Sequence, residues 1–169
     1  SRNSVEYYTR WEGKEEGKRI RKKRNEEEKT LNGMYQIFEK MAIQCEENTQ
    51  GMINVVRNPW VQIISHPGDG TAELDFEPIV LAAGESKTLL EINNSSLIPS
   101  RGKLQARANN LEILRLSRKH GIPVILGSDA HTAFSIADYR YLWELLDETD
   151  FPTELIMNDK PDEFLAYIS

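Results

Sequence analysis

The sequence predicts an α/β fold in which about four parallel strands alternate with helices over residues 46–169. Short strand-like apolar runs recur at intervals of roughly 25–35 residues with helical sequence between them, which is typical of βαβ units. These runs are almost continuously apolar, as expected where helices cover both faces of a parallel sheet. A charged and more polar segment, residues 1–45, precedes this region and is expected to be helical or partly disordered.

Charge differs between the two regions. Residues 1–40 contain eleven Lys/Arg and eight Asp/Glu, whereas the whole chain carries a net charge of −6. The basic run Arg21–Arg24 is followed at once by Glu26–Glu28. Because these glutamates cancel much of the field that phosphates require, we expect a solvated helix here and consider nucleic-acid binding the less favoured alternative.

The sequence lacks the motifs of several functional classes. Cys45 is the only cysteine, which excludes an internal disulfide and a zinc ribbon. The dinucleotide-binding glycine motif, the P-loop and the Gly-x-Ser-x-Gly elbow are also absent. Neither a signal-peptide apolar region nor a membrane span is present, so we expect a cytoplasmic protein of a reducing compartment.

The individual elements follow from periodicity and from cap and turn signals. Apolar residues recur at helical spacing over Leu31–Ile43, and Asn48-Thr49-Gln50 is expected to start a further helix through Val56. The predicted strands are Trp60–Ser65, Thr88–Asn93, Pro123–Gly127 and Glu154–Met157. The predicted helices are Asp75–Ala83, ended by Gly84, Gln105–His120, ended by Gly121, Asp138–Leu146 and Pro161–Ile168.

Potential metal ligands follow two of the predicted strands. His66 comes directly after the first strand, and Asp129 and His131 follow the third at a spacing that turns both side chains to one side. The carboxyl ends of parallel strands lie at one edge of the sheet, where α/β folds place ligand and metal chemistry. Imidazole and carboxylate groups suit zinc, manganese or iron. Taken singly, each residue also fits a polar turn position.

Candidate substrate contacts lie nearby. Asn93 and Asn94 end the middle strand, and they suit either substrate contact or an Asx turn. Arg101 is the best-placed cation for a phosphate oxygen, although a plain surface arginine fits it as well. His120 ends a helix, where the dipole favours it, and is expected to be structural.

Three motifs carry a resemblance to a known family. They are Ile-Ile-Ser-His-Pro-Gly (Ile63–Gly68), Leu-Glu-Ile-Asn-Asn-Ser-Ser (Leu90–Ser96) and Gly-Ser-Asp-Ala-His-Thr-Ala-Phe (Gly127–Phe134). In this order they resemble the PHP (polymerase and histidinol phosphatase) superfamily, in its branch of small YcdX-type bacterial phosphatases. The resemblance runs from about Asn48 to Ser169.

The resemblance implies a distorted β/α barrel that holds divalent metals at its rim and hydrolyses a phosphate-ester small molecule. By motif position, His66, Asp129 and His131 are similar to ligands of different metals in the cluster, with zinc the first expectation. The family's opening His-x-His and its other ligands lie in the first half of the barrel and have no counterpart here, since the chain has only three histidines. The expected chain is therefore a C-terminal half barrel with an incomplete cluster, inactive or weakly active alone.

A half barrel leaves an open sheet edge and uncovered apolar faces. We therefore expect a homo-oligomer, with the Leu31–Ile43 helix covering part of the surface. The alternative is a non-catalytic, PHP-derived binding or scaffold module that contacts a protein or nucleic acid through its N-terminal segment. The product of an interrupted gene, with no function of its own, is a third possibility.

Overall fold

The computed structural model describes the backbone of residues 2–169 and the side chains of residues 18, 19 and 21–169. The chain divides into two compact units, Ser1–Ile43 and Gln44–Ser169. Helix α1 (Arg2–Val56) is continuous through the segment where we predicted a new helix start. The predicted start was wrong because Thr49 lies inside the helix, where its hydroxyl accepts a hydrogen bond from Asp75 N at 2.9 Å.

The second unit contains a small parallel sheet covered by helices. Its further elements are β1 (Ile63–Ile64), α2 (Phe76–Ser86), β2 (Leu89–Asn93), α3 (Ala106–His120), β3 (Val124–Gly127), α4 (Arg140–Glu148) and α5 (Pro161–Ile168). The strand order is β1-β2-β3, with Leu90 in register with Ile64 on one side and Val124 on the other. The predicted α/β class is confirmed as three parallel strands in an open sheet.

The predicted fourth strand does not form. Thr153–Leu155 is a short 3-10 helix, and Ile156 makes only an isolated parallel bridge to Val124. Pro152 precedes this segment, and the tight turn closed by the hydrogen bond from Ile156 N to Thr153 O leaves too little extended chain for a strand. The four-strand part of a barrel is therefore not confirmed.

The end of α2 also differs from the sequence prediction. We predicted that Gly84 stops the helix, but α2 continues to Ser86 and ends at Lys87, which has φ 59°. Gly84 meets a packing requirement instead, because a Cβ there would lie 2.8 Å from Cδ1 of Ile122. The predicted end of α3 at Gly121 is confirmed, with φ 67°.

The core of the second unit forms where the sheet packs against its helices. Middle strand β2 contributes Leu90 and Ile92, which are almost completely buried. The helices contribute Ile79, Val80, Leu111, Ile113, Leu114, Leu142 and Leu145. This core fixes the three strand ends, from which the candidate site is built.

Exposed apolar residues mark the first unit. The exposed stripe consists of Leu31, Met34, Tyr35, Phe38 and Met41, which recur at helical spacing, and Ile37 and Ile43 are exposed as well. In the sequence before this stripe, basic residues form ion pairs with glutamates four residues later. Lys22 Nζ lies 4.0 Å from Glu26 Oε1, and Arg24 Nε lies 3.9 Å from Glu28 Oε1. Within the described part of the chain, no helix combines the length and apolar character needed to cross a bilayer.

Candidate functional site

Glu91 lies in the middle of β2. Its carboxylate contacts residues at or just after the carboxyl ends of all three strands. Its Oε2 accepts hydrogen bonds from His66 N at 2.7 Å and from Asn93 Nδ2 at 3.2 Å. On the other side, a Cβ added to Gly127 would lie 1.7 Å from Glu91 Oε1, so this carboxylate lies directly against the backbone of β3. The loops after β1 and β3 therefore begin at a shared carboxylate.

The backbone at two predicted ligands is left-handed. His66 has φ 38° and Asp129 has φ 50°. Such conformations are uncommon outside glycine, although His and Asp adopt them more often than most residues, and they concentrate at functional sites. Each of these residues lies two positions after the end of its strand.

A buried carboxylate lies beside the His66 ring. Asp69 Oδ2 is 3.4 Å from His66 Nδ1 and 2.8 Å from Lys103 Nζ, while Oδ1 accepts hydrogen bonds from N and Oγ1 of Thr71. Burial raises the pKa of Asp69, but the hydrogen bonds from Lys103 and Thr71 outweigh that effect and hold the pKa below its ordinary value. Asp69 is thus ionised at neutral pH.

The second pair lies after β3. His131 Nε2 is 3.7 Å from Asp129 Oδ1, and the His131 side chain is 72% exposed. His66 faces Asp69 rather than this pair. Among the side chains that the structure describes, no three His, Cys, Asp or Glu residues come close enough together to hold a metal ion. The donor types suit a divalent metal, but the described side chains do not make a complete site.

The predicted substrate contacts have different surroundings. Asn93 and Asn94 are buried, and their Oδ1 atoms accept hydrogen bonds from Ser96 N and Tyr141 N respectively. Arg101 is exposed on the 3-10 turn Pro99–Arg101. Their roles in substrate binding stay predictions.

His120 lies on α3, where its Nε2 is 3.2 Å from Glu77 Oε1. This contact suits the structural role expected from the sequence. Lys119 and His120 hold the pKa of Glu77 below its usual range through hydrogen bonds. The contact between His120 and Glu77 therefore links α3 to α2.

Sequence comparison finds similarity to proteins named probable phosphatases. Residues 107–169 match a family model described as PHP-associated. The resemblance to the PHP superfamily is confirmed. A probable phosphatase of Clostridium novyi is 43% identical over 123 residues, covering 73% of this chain and 50% of the relative. Probable phosphatases of Acetivibrio thermocellus and Caldicellulosiruptor bescii are 38% and 37% identical, again with 50% of each relative covered.

The chain spans about half the length of the curated relatives it matches, with 50% of the first three covered. Glu91 and Lys103 are the residues around this site that the sequence did not single out. The available signal was a lone acidic residue, Glu91, within an apolar strand.

Proposed function

We propose that this chain provides one side of the active site of a PHP-type phosphatase that hydrolyses phosphate esters. The observation that supports this most directly is the convergence of two strand-end loops on Glu91, each loop carrying a left-handed ligand-type residue, His66 or Asp129. In such hydrolysis, water adds to phosphorus and the ester P–O bond breaks, releasing an alcohol and inorganic phosphate. Arg101, Asn93 and Asn94 stay the proposed substrate contacts.

Metal dependence is part of the same proposal. The PHP resemblance implies a divalent metal, zinc first and manganese or iron as alternatives, with His66, Asp129 and His131 as ligands. A catalytic zinc takes three protein ligands, and the described side chains bring no such set together. On this proposal the remaining ligands come from another protein segment, and the chain alone is inactive or weakly active.

A hybrid protein tests the proposed activity. It would join residues 44–169 of this chain to the part of the Clostridium novyi relative that this chain does not match. We expect hydrolysis of p-nitrophenyl phosphate in the presence of Zn²⁺ or Mn²⁺. His66→Ala, Asp129→Ala or His131→Ala is each expected to lower kcat/KM by at least ~100-fold, since loss of a ligand disables a metal centre.

His120→Ala is the matched control, because this histidine contacts Glu77 on α2. The control should keep activity within about threefold of the parent, because a single side-chain hydrogen bond contributes only about 1 kcal/mol. A hybrid that is folded and active but indifferent to His131→Ala would contradict the proposed site. A folded hybrid with no activity under either metal would contradict the proposed function.

We also propose that the chain self-associates through the exposed stripe. Phe38 is 60% exposed at the centre of this stripe, and burying such a surface against a second copy is favourable. Phe38→Glu is expected to convert the oligomer to monomer in size-exclusion chromatography with light scattering. Leu165→Glu, a change at another exposed apolar residue, should leave the oligomer intact. A wild-type chain that stays monomeric at high concentration would refute self-association.

The alternative function is a non-catalytic module that binds another protein through the same stripe. The exposure of Leu31, Tyr35 and Phe38 is the observation that favours it. Nucleic acid is the less suitable partner, because glutamates accompany the basic residues at positions 22–24. The single free thiol, Cys45, suits the reducing cytoplasm that we propose as the location.

A further inference from the structure

We propose that Asp69 is a positioning residue that holds neutral His66 in one tautomer, with the proton on Nδ1 and the lone pair on Nε2. The functional meaning of this inference rests on the proposed role of His66 as a ligand. The tautomer itself is a property of this chain and is measurable without any activity.

The orientation of the Asp69 carboxylate is fixed by Thr71. Oδ1 accepts hydrogen bonds from Thr71 N at 2.9 Å and from Thr71 Oγ1 at 2.8 Å. Two donors on one oxygen leave the other oxygen, Oδ2, as the atom directed at the neighbouring groups. The Asp69 side chain is only 7% exposed, so little water competes for it.

Two groups face Oδ2. Lys103 Nζ donates to it at 2.8 Å, and His66 Nδ1 lies 3.4 Å away. The ionised carboxylate of Asp69 can only accept hydrogen bonds, and the ammonium group of Lys103 can only donate them. A lone pair on Nδ1 would therefore face a negative oxygen, whereas an N–H there would be attracted to it. The distance exceeds the usual range for a strong N–H···O bond, so the effect is a preference between tautomers set by electrostatics.

The backbone of His66 is held at both ends. Its N–H donates to Glu91 Oε2 at 2.7 Å, and its carbonyl accepts from Asp69 N at 3.1 Å. These bonds keep the residue in its left-handed conformation, from which the ring reaches Asp69. Nε2 is then the ring nitrogen free to accept, and an imidazole nitrogen of this kind can bind a divalent cation or accept a proton.

His120 provides an internal contrast. It faces its carboxylate partner, Glu77, through Nε2 at 3.2 Å rather than through Nδ1. The same reasoning gives His120 the opposite tautomer, with the proton on Nε2. The chain has only three histidines, so one spectrum reports all of their ring states.

The test is a long-range ¹H–¹⁵N correlation spectrum of the full chain with labelled histidine, recorded without metal about two pH units above the ordinary histidine pKa of ~6.5. Signals are assigned with His66→Gln, His120→Gln and His131→Gln. We expect the Nδ1–H pattern for His66 and the Nε2–H pattern for His120. A wild-type His66 that is mainly Nε2–H would overturn the proposal before any variant is made.

Asp69→Asn provides the second measurement. The two Thr71 donors will retain the amide oxygen of the new side chain, so its NH₂ group must face His66 and Lys103. An N–H donor facing Nδ1 favours a lone pair there, so the Nε2–H form of His66 should rise at least severalfold, as in other carboxylate-to-amide changes beside histidine. An unchanged His66 tautomer in a folded variant would overturn the proposal.

Two further variants keep this comparison interpretable. Lys103→Met preserves the carboxylate and should retain the Nδ1–H form of His66. Asp69→Asn combined with Lys103→Met removes the conflict between the amide and the ammonium group, and should show the same tautomer change as Asp69→Asn alone. An unaltered His120 pattern verifies folding in each case. Inactivity of the hybrid protein would refute the proposed function while leaving these spectra as expected.

Discussion

Gly127→Ala is expected to lower the free energy of unfolding by about 3 kcal/mol, because the new methyl group overlaps a held carboxylate. The added Cβ would lie 1.7 Å from Oε1 of Glu91 and 2.5 Å from its Cδ. A free glutamate would move aside at little cost. This one accepts hydrogen bonds from His66 N and Asn93 Nδ2, so moving it leaves both donors without their charged partner. Urea unfolding monitored by fluorescence would measure the loss.

A double-mutant cycle identifies the cause. In a Glu91→Ala background the obstacle is gone, so Gly127→Ala should cost less than ~1 kcal/mol, giving a coupling of about 2 kcal/mol. Gly51→Ala is the matched control, since nothing lies within 4 Å of a Cβ at this helical position. It should stabilise the chain by up to ~1 kcal/mol through helix propensity. Equal costs of Gly127→Ala in both backgrounds would show that Glu91 is not the obstacle.

Leu90→Ala is expected to destabilise the second unit by about 4 kcal/mol through lost burial and the resulting cavity. Leu90 is 1% exposed on the middle strand, with Ile64 and Val124 in register on either side. Neighbours on two strands cannot close the space without breaking the parallel ladder. The same urea titration applies, with an unchanged denaturant slope indicating a loss of stability alone.

Leu104→Ala makes the same chemical change where the side chain is 92% exposed. Its cost should be within ~0.5 kcal/mol of zero. Comparable losses for the two leucine variants would mean that β2 is not at the centre of the core.

The sequence predicted those elements whose signals are local. Helices α3 and α5 carry their own periodicity and boundary residues, and both are present. Strands β2 and β3 are apolar runs long enough to pair along most of their predicted length. The predicted strand at Glu154–Met157 failed because strand formation depends on a partner distant in the sequence, and only Ile156 meets one. Gly84 was misread because its close neighbour, Ile122, lies on another segment.

The candidate site shows the same division. His66, Asp129 and His131 could be selected as candidate ligands because they come within a few residues of strand ends, and their role as ligands stays a prediction. The contact between Lys103 and Asp69 could not be predicted, because it depends on how the turn before α3 packs against the loop after β1. The predicted trio also assumed that a common edge brings side chains together. The structure shows two pairs, His66 with Asp69 and His131 with Asp129, and the use of the trio as metal ligands stays a prediction.

The contact between Glu91 and Gly127 also restricts how this sequence can change over evolution. Any larger residue at position 127 requires a shorter one at position 91, and a shorter residue at 91 removes the acceptor for His66 N. Neither position can drift independently. In a collection of descendants of this chain, we expect the two positions to covary, with a non-glycine at 127 found only where 91 has lost its carboxylate.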